Sequence, residues 1–148
     1  MAVVRSPKEG QALDPGERTR RPDRGTPLRL KRNFWFRVAY SSDVSDQPMQ
    51  AFLCDEQLVL VRLSGVLRLF PDLCLHRGTA LSLGAVKNGC LECPYHGWTY
   101  DAEGRVVRMP AREELSGKIR AQLVSYPVAE PCGLVFACLT SIIRAIAA

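Results

Sequence analysis

CLHRG at positions 74–78 and CPYHGW at positions 93–98 are the two stretches of this sequence that decide its fold. Each stretch carries one cysteine and one histidine, and sixteen residues separate the first histidine from the second cysteine. Thiolates and imidazoles are ligands both for tetrahedral zinc and for iron–sulfur clusters. The chain contains only two histidines, and both lie in these stretches. The sequence therefore predicts a metal or cluster site with four ligands: Cys74, His76, Cys93 and His96.

The mixture of ligand types within each stretch favours one kind of site. Structural zinc motifs usually pair two cysteines on one arm and two histidines on the other. Here each arm carries one of each, which suits two irons if each arm gives its cysteine to one iron and its histidine to the other. Gly78 and Gly97 follow the ligands and allow backbone N–H groups to approach the cluster closely, while Pro94 stiffens the second loop. A two-iron cluster is favoured at this point, and a structural zinc module stays open as an alternative.

The chain resembles the Rieske domain of ring-hydroxylating oxygenase alpha subunits and related Rieske monooxygenases over about residues 33–139. Besides the two ligand stretches, the resemblance includes FWF at 34–36, LVLVR at 58–62, LSLG at 81–84 and GLVF at 133–136. It implies an all-β fold, a Rieske-type antiparallel β-sandwich with a cluster-binding subdomain made of the two ligand loops. It also implies that Cys74, His76, Cys93 and His96 bind a [2Fe-2S] cluster.

Local sequence patterns independently predict short antiparallel strands separated by turns. Strand signals run over 34–40, 49–53, 57–63, 66–70, 105–107, 121–128 and 133–139. Asn88-Gly89 predicts a hairpin that delivers the chain into the second ligand loop. A polar stretch at 111–117 is expected to form a short helix or an irregular excursion. Short strands with turns every ten residues or so are typical of an all-β sandwich or barrel.

The resemblance implies a role in oxygenase electron transfer. Such a domain carries single electrons from a ferredoxin or flavin reductase to a mononuclear iron, which a 2-His-1-carboxylate triad holds in a further domain or subunit. We expect no catalytic iron site in this chain, because both histidines are already assigned to the cluster. A free-standing Rieske ferredoxin is the alternative electron carrier.

The resemblance also bears on the redox potential. Rieske proteins of cytochrome complexes carry two additional cysteines as a disulfide, whereas the matching positions here are Thr79 and Tyr95. Those proteins tend to have serine where this chain has Trp98. We therefore expect a potential at the negative end of the Rieske range of about −150 to +300 mV. Trp98 is expected to belong to the core beneath the loops, Tyr95 and Tyr100 to be packing residues, and Arg77 either to form an ion pair or to face a partner.

Composition and charge limit the remaining possibilities. Residues 1–33 hold nine Lys/Arg and four Asp/Glu, which accounts for the net charge of +5, so the rest of the chain is neutral. We interpret 1–32 as a disordered basic arm, 33–139 as the Rieske domain and 140–148 as an atypical tail that suggests a truncation. No basic face for nucleic acid, membrane span or signal peptide is evident, so a cytoplasmic location is expected. The four other cysteines are expected to be small buried hydrophobes: Cys54, Cys90, Cys132 and Cys138.

Overall fold

The computed structural model describes residues 34–139, and the interpretations given above for the basic arm and the tail lie outside these residues. The described range contains ten strands: β1 Phe36–Tyr40, β2 Met49–Leu53, β3 Glu56–Leu63, β4 Val66–Pro71, β5 Ala85–Lys87, β6 Cys90–Glu92, β7 Thr99–Tyr100, β8 Val106–Arg108, β9 Val128–Ala129 and β10 Leu134–Ala137. Its helices are short 3₁₀ segments at Ser41–Asp43, Leu81–Leu83 and Pro110–Leu115. No helix in this range could cross a membrane.

The strands form three antiparallel sheets. Their orders are β1-β10-β9, β2-β3-β4 and β5-β6-β7-β8. Since every pairing is antiparallel and the described range holds no α-helix, the predicted all-β antiparallel fold is confirmed. The first ligand loop lies between β4 and β5, and the second connects β6 to β7. The second loop therefore lies within the β5-β6-β7-β8 sheet, and the first leads into it.

The middle sheet separates two hydrophobic cores because β3 is buried on both faces. Successive side chains of a strand point to opposite faces. Val59, Val61 and Leu63 pack in one core with Tyr100 and the two ligand cysteines. Leu58 and Leu60 pack in the other, with the β1-β10-β9 sheet. The uninterrupted apolar run of β3 thus reflects a central strand, and it places the ligand loops over a packed core.

Tight turns set the strand register as the sequence predicted. Asn88 and Gly89 connect β5 to β6, with φ values of 52° and 73°. Two positive φ angles in succession are the signature of type I′ hairpin turns, whose twist matches that of the flanking strands. The β2–β3 and β3–β4 connections have the same signature, at Cys54–Asp55 and Ser64–Gly65.

The stretch 121–128 is less regular than predicted. Gln122 and Tyr126 form isolated bridges, with Arg105 and Leu69, and a strand begins only at Val128. Pro127 has no N–H to donate, which interrupts a continuous ladder at this point.

The prediction of four buried structural cysteines was right for one of them. Cys138 is buried, Cys54 and Cys90 are half-buried, and Cys132 is exposed. Cys132 has a φ of 53° and precedes Gly133 in a turn, where the side chain projects away from the core. Hydrophobicity alone did not reveal this, because the turn geometry decides which way the side chain points.

Candidate cluster-binding site

The two ligand loops have the same backbone hydrogen bonds. In the first, the N–H of Cys74 donates to the carbonyl of Thr79, and the N–H of Gly78 donates to the carbonyl of Cys74, both at 2.8 Å. In the second, Cys93 donates to Trp98 at 2.8 Å and Gly97 donates to Cys93 at 3.1 Å. Each loop is therefore a closed turn that begins at its cysteine. The two turns therefore present their cysteine–histidine pairs on backbones of the same geometry.

A glycine with positive φ closes each turn. Gly78 has a φ of 71° and Gly97 a φ of 67°, a conformation that costs L-residues about 1–2 kcal/mol. Gly97 is also crowded, since a Cβ there would lie 3.0 Å from Cγ of Pro110. The second loop consequently lies directly against the 3₁₀ segment that begins at Pro110.

Sulfur and imidazole are separated by depth. Cys74 and Cys93 are each 3% exposed and belong to the core beneath the loops. His76 and His96 are exposed, with ring centroids 4.7 Å apart in an edge-to-face arrangement. The site therefore has two thiols on its inner side and two imidazoles on its outer side.

Aromatic neighbours orient the imidazoles. The ring of Trp98 stacks on His76 with a centroid distance of 4.9 Å and an interplanar angle of 3°. Tyr95 lies against His96 at 3.8 Å. Trp98 also packs against the core beneath the loops, as predicted, so it connects that core to the first imidazole.

The surroundings of His76 and Cys93 shift the pKa values of both side chains. Loss of hydration near the neighbouring loop and the positive charges of His96 and Arg77 all lower the pKa of His76. Burial raises the pKa of the Cys93 thiol, while the backbone N–H groups of Tyr95 and His96 act to lower it. Those N–H groups therefore face the sulfur, as expected for a loop that stabilises negative charge.

Tyr100 is the site residue whose role the sequence did not indicate. It is fully buried in β7, and its hydroxyl oxygen lies 3.1 Å from Sγ of Cys74. The backbone N–H of Leu75 donates to the same oxygen, also at 3.1 Å. With its oxygen accepting from Leu75, the hydroxyl has its own proton available for the sulfur. Burial raises the pKa of Tyr100 well above its ordinary value, which keeps the hydroxyl protonated.

A cavity of about 330 Å³ opens beside the imidazoles. Its walls are mostly apolar, and its polar side chains are the two imidazoles, one indole and one guanidinium. The lining residues are His76, His96, Trp98, Met109, Ala111, Arg112, Leu115 and Ile119. The segment predicted as a short helix or excursion, 111–117, contributes one wall of this cavity.

The sequence-predicted donors lie as two pairs, Cys74 with Cys93 and His76 with His96. Within residues 34–139, no three His, Cys, Asp or Glu side chains converge on one point as a mononuclear metal site requires. The four sequence-predicted ligands are instead brought together as a buried sulfur pair and an exposed imidazole pair. The cysteines are free thiols. One class of two-iron cluster has one iron held by two cysteines and the other by two histidines, and this donor set supplies the same four groups.

An all-β domain with two cysteine–histidine loops at one end has the architecture of a Rieske domain. Residues 34–127 match the family described as the Rieske [2Fe-2S] domain. The chain belongs to this family, whose domains bind a [2Fe-2S] cluster, and the structural zinc alternative is therefore wrong.

Two similar proteins carry oxygenase in their names. The chain is 39% identical over 107 residues to chlorophyllide a oxygenase, chloroplastic, of Oryza sativa subsp. japonica, covering 71% of this chain and 19% of that protein. It is 38% identical over 121 residues to the 3-chlorobenzoate-3,4-dioxygenase oxygenase subunit of Comamonas testosteroni, covering 78% and 28%. The chain thus spans less than a third of the length of these relatives.

Solved structures agree with the sequence comparison. Pseudomonas putida CBB5 NdmA with caffeine superimposes with a TM-score of 0.71 at 33% identity, covering 76% of this chain and 35% of that one. Apo dicamba monooxygenase superimposes with a TM-score of 0.65 at 33% identity, covering 72% and 33%. The resemblance to Rieske oxygenases noted from the sequence, and the Rieske-type fold it implied, are confirmed.

Proposed function

We propose that this domain carries single electrons from a ferredoxin or flavin reductase to a mononuclear iron oxygenase centre, using a cluster held by Cys74, His76, Cys93 and His96. When bound, the [2Fe-2S] cluster supplies reversible one-electron chemistry. The observation that carries the ligand assignment is a difference in burial: the two cysteines are each 3% exposed, whereas the two histidines are exposed. The names of the relatives support an oxygenase context over a free ferredoxin.

The protein side chains have separate tasks in this proposal. The buried cysteines shield the sulfur side from water, and the Tyr100 hydroxyl donates to Cys74. His76 and His96 offer their outer N–H groups to solvent or to a docked partner, which makes them the port for electron exchange. Since both histidines of the chain are used here, the oxygenase iron belongs to another part of the protein or to a partner subunit.

The cavity beside the imidazoles is the proposed docking place for redox partners. Arg112 contributes its positive charge, and Arg77 lies exposed next to His76 without an ion pair in the described part of the chain. Of the two roles considered for Arg77, facing a partner is therefore favoured. A partner with an acidic contact surface fits this face, because complementary charges accelerate encounter.

Cluster analysis tests the ligand assignment. Protein expressed and purified anaerobically should contain two irons and two acid-labile sulfides per chain and should give an EPR signal after reduction. Cys93→Ser and His96→Ala should each abolish the native spectrum. Cys90→Ser is the matched control, since Cys90 is a half-buried cysteine three residues before a ligand. A colourless, sulfide-free protein, or an unchanged spectrum in His96→Ala, would contradict the assignment.

Electron-transfer kinetics test the docking face. Arg112→Glu should slow reduction by an acidic ferredoxin-type donor several-fold at low ionic strength, and added salt should diminish the difference. Arg37→Glu in β1 makes the same charge change on another sheet and should leave the rate near that of the wild type. Equal slowing by both variants would mean that net charge, and not this face, governs docking.

The chain alone should accept electrons from such a donor and hydroxylate nothing. Product formed from an aromatic substrate by the purified chain without a partner would refute the division of labour proposed here.

A further inference from the structure

The two ligand loops differ at their bases, although their turns have the same hydrogen bonds. The second loop is closed by a β-ladder, in which Glu92 pairs with Thr99 and Leu91 with Tyr100. The first loop has no such ladder. β4 ends at Pro71, and a 3₁₀ helix at Leu81–Leu83 follows the loop. Another interaction must therefore hold the two ends of the first loop together.

Asp72 occupies that position. It is only 3% exposed, follows β4 directly and lies two residues before Cys74. Its Oδ1 accepts from the backbone N–H of Ser82 at 2.7 Å, and its Oδ2 accepts from the Ser82 hydroxyl at 2.6 Å. Gln50 of β2 donates its side-chain amide to Oδ2 at 2.9 Å. The carboxylate thus ties the residue before the loop to the residue after it and to the middle sheet.

The backbone of Asp72 is fixed as well. Its N–H donates to the carbonyl of Gln57 at 2.9 Å, which extends the β3–β4 pairing by one residue. Leu81, next to Ser82, is fully buried in the core that contains both ligand cysteines. Asp72 and Ser82 are therefore both fixed to the packed sheet and core, so the hydrogen bonds between them hold the two ends of the loop at a fixed separation.

Loss of the hydrogen bonds to Asp72 should disturb the first ligand loop strongly. Hydrogen bonds to a charged group are stronger than neutral ones, and a buried carboxylate that loses its donors is strongly destabilised. The loop from 73 to 81 includes Cys74 and His76, one ligand of each type. Loosening its base would displace a sulfur ligand and an imidazole ligand together.

We propose that Asp72 is a positioning residue, which with Ser82 and Gln50 replaces the missing ladder and holds the first ligand loop in the geometry that retains the cluster. This inference rests on the proposed function, because it concerns how the chain keeps the cluster bound by Cys74 and His76.

The test compares cluster release with global stability in the holoprotein. The rate of loss of visible absorption in excess iron chelator should rise at least tenfold in Asp72→Ala and by a smaller factor in Ser82→Ala, which retains the backbone donor. Asp72→Asn keeps the shape and one acceptor oxygen, so it should lie between the wild type and Asp72→Ala. The low-temperature EPR g-values of reduced Asp72→Asn and Ser82→Ala should shift, since the ligand loop has moved.

Val135→Ala is the matched control. Val135 is fully buried in the other core, so its truncation lowers the stability of the domain without a contact to either loop. The proposal would be overturned if Val135→Ala released the cluster as fast as an Asp72 or Ser82 variant of equal stability in urea. It would also be overturned if Ser82→Ala changed neither the g-values nor the rate of cluster release. Should Asp72→Ala fail to fold, Ser82→Ala and Asp72→Asn carry the comparison.

The failure of the proposed function gives a different result. A wild-type protein that binds no cluster after anaerobic expression would overturn both proposals. A wild-type protein with a full cluster, whose Asp72 and Ser82 variants release it at the rate set by global stability, would overturn this one alone.

Discussion

Removing one hydroxyl group at Tyr100 should lower the reduction potential of the site. The oxygen lies 3.1 Å from Sγ of Cys74 in a fully buried environment. A reduced cluster carries one more negative charge than an oxidised one, so a donor to a ligand sulfur stabilises the reduced form more. Tyr100→Phe keeps the ring and its packing and deletes only this donor.

The magnitude can be worked out from the strength of such a bond. Neutral hydrogen bonds contribute about 0.5–1.5 kcal/mol and bonds to charged groups about 1.5–3 kcal/mol, so the bond should strengthen by about 1 kcal/mol on reduction. A tenfold change in the equilibrium constant is about 1.4 kcal/mol, or about 59 mV for one electron. The expected decrease in midpoint potential is therefore about 40 mV.

Tyr100→Phe should also cost stability. The Leu75 N–H now donates to the hydroxyl oxygen at 3.1 Å and would lose this acceptor. Leaving such a donor without a partner costs about 1–3 kcal/mol. Urea unfolding of the holoprotein should show this decrease alongside the change in potential.

Redox titration followed by circular dichroism, or protein-film voltammetry, would measure the shift. Tyr95→Phe is the control, because Tyr95 is 60% exposed and its ring, not its hydroxyl, contacts His96. It should change the potential by no more than about a quarter as much. A Tyr100→Phe potential equal to or above that of the wild type would refute the reasoning. The low potential expected from the sequence stays a prediction, and the Tyr100 bond should move it upward within that low range.

Three further predictions concern stability. Gly97→Ala should destabilise the holoprotein by about 2 kcal/mol or more in urea unfolding, because the φ of Gly97 is positive and the new Cβ would press on Pro110. The control Gly117→Ala has similar φ strain but no neighbour within 4 Å, so it should cost about 1–2 kcal/mol. Equal losses in the two variants would contradict a role for the Pro110 contact. The ion pair with Arg62 lowers the pKa of Glu130. This pair therefore stabilises the fold above the ordinary carboxyl pKa of 4.5, and its contribution is lost as the pH falls through the lower pKa of the folded state. Glu130→Gln should flatten the dependence of melting temperature on pH in this acidic range, and an unchanged dependence would exclude the contribution. Stripping the cluster with chelator and reductant should lower the melting temperature by about 10 °C or more, since cofactor binding energy adds to folding energy, and an unaltered melting curve would show that the loops need no cluster to fold.

Sequence pattern was sufficient for the features that depend on neighbouring residues. Asn88-Gly89 predicted its hairpin because only a few residue types tolerate two successive positive φ angles. The uninterrupted apolar run at 58–61 predicted a strand, and its burial on both faces followed from its central place. The family was recognisable for the same reason, since the spacing of Cys74, His76, Cys93 and His96 is local within each loop.

Long-range contacts decided what the sequence could not. Tyr100 was expected only to pack, yet the pairing of β7 with β6 places its hydroxyl on a sulfur 26 residues earlier in the chain. The contact between Asp72 and Ser82 has no local sequence signal, because a ten-residue separation does not show that one carboxylate will close a loop. The exposure of Cys132 depended likewise on a turn conformation.

The sequence by itself determined the composition of the site: which four side chains of suitable chemistry exist, on which two turns, and in which family of folds. Only the tertiary structure decided the surroundings: sulfur inside and imidazole outside, a tyrosine on one sulfur, and a carboxylate at the base of one loop. The physical reason is that the geometry within each turn depends on a few consecutive backbone angles, which the local sequence determines. Burial and hydrogen-bond partners depend instead on how separate strands pack together.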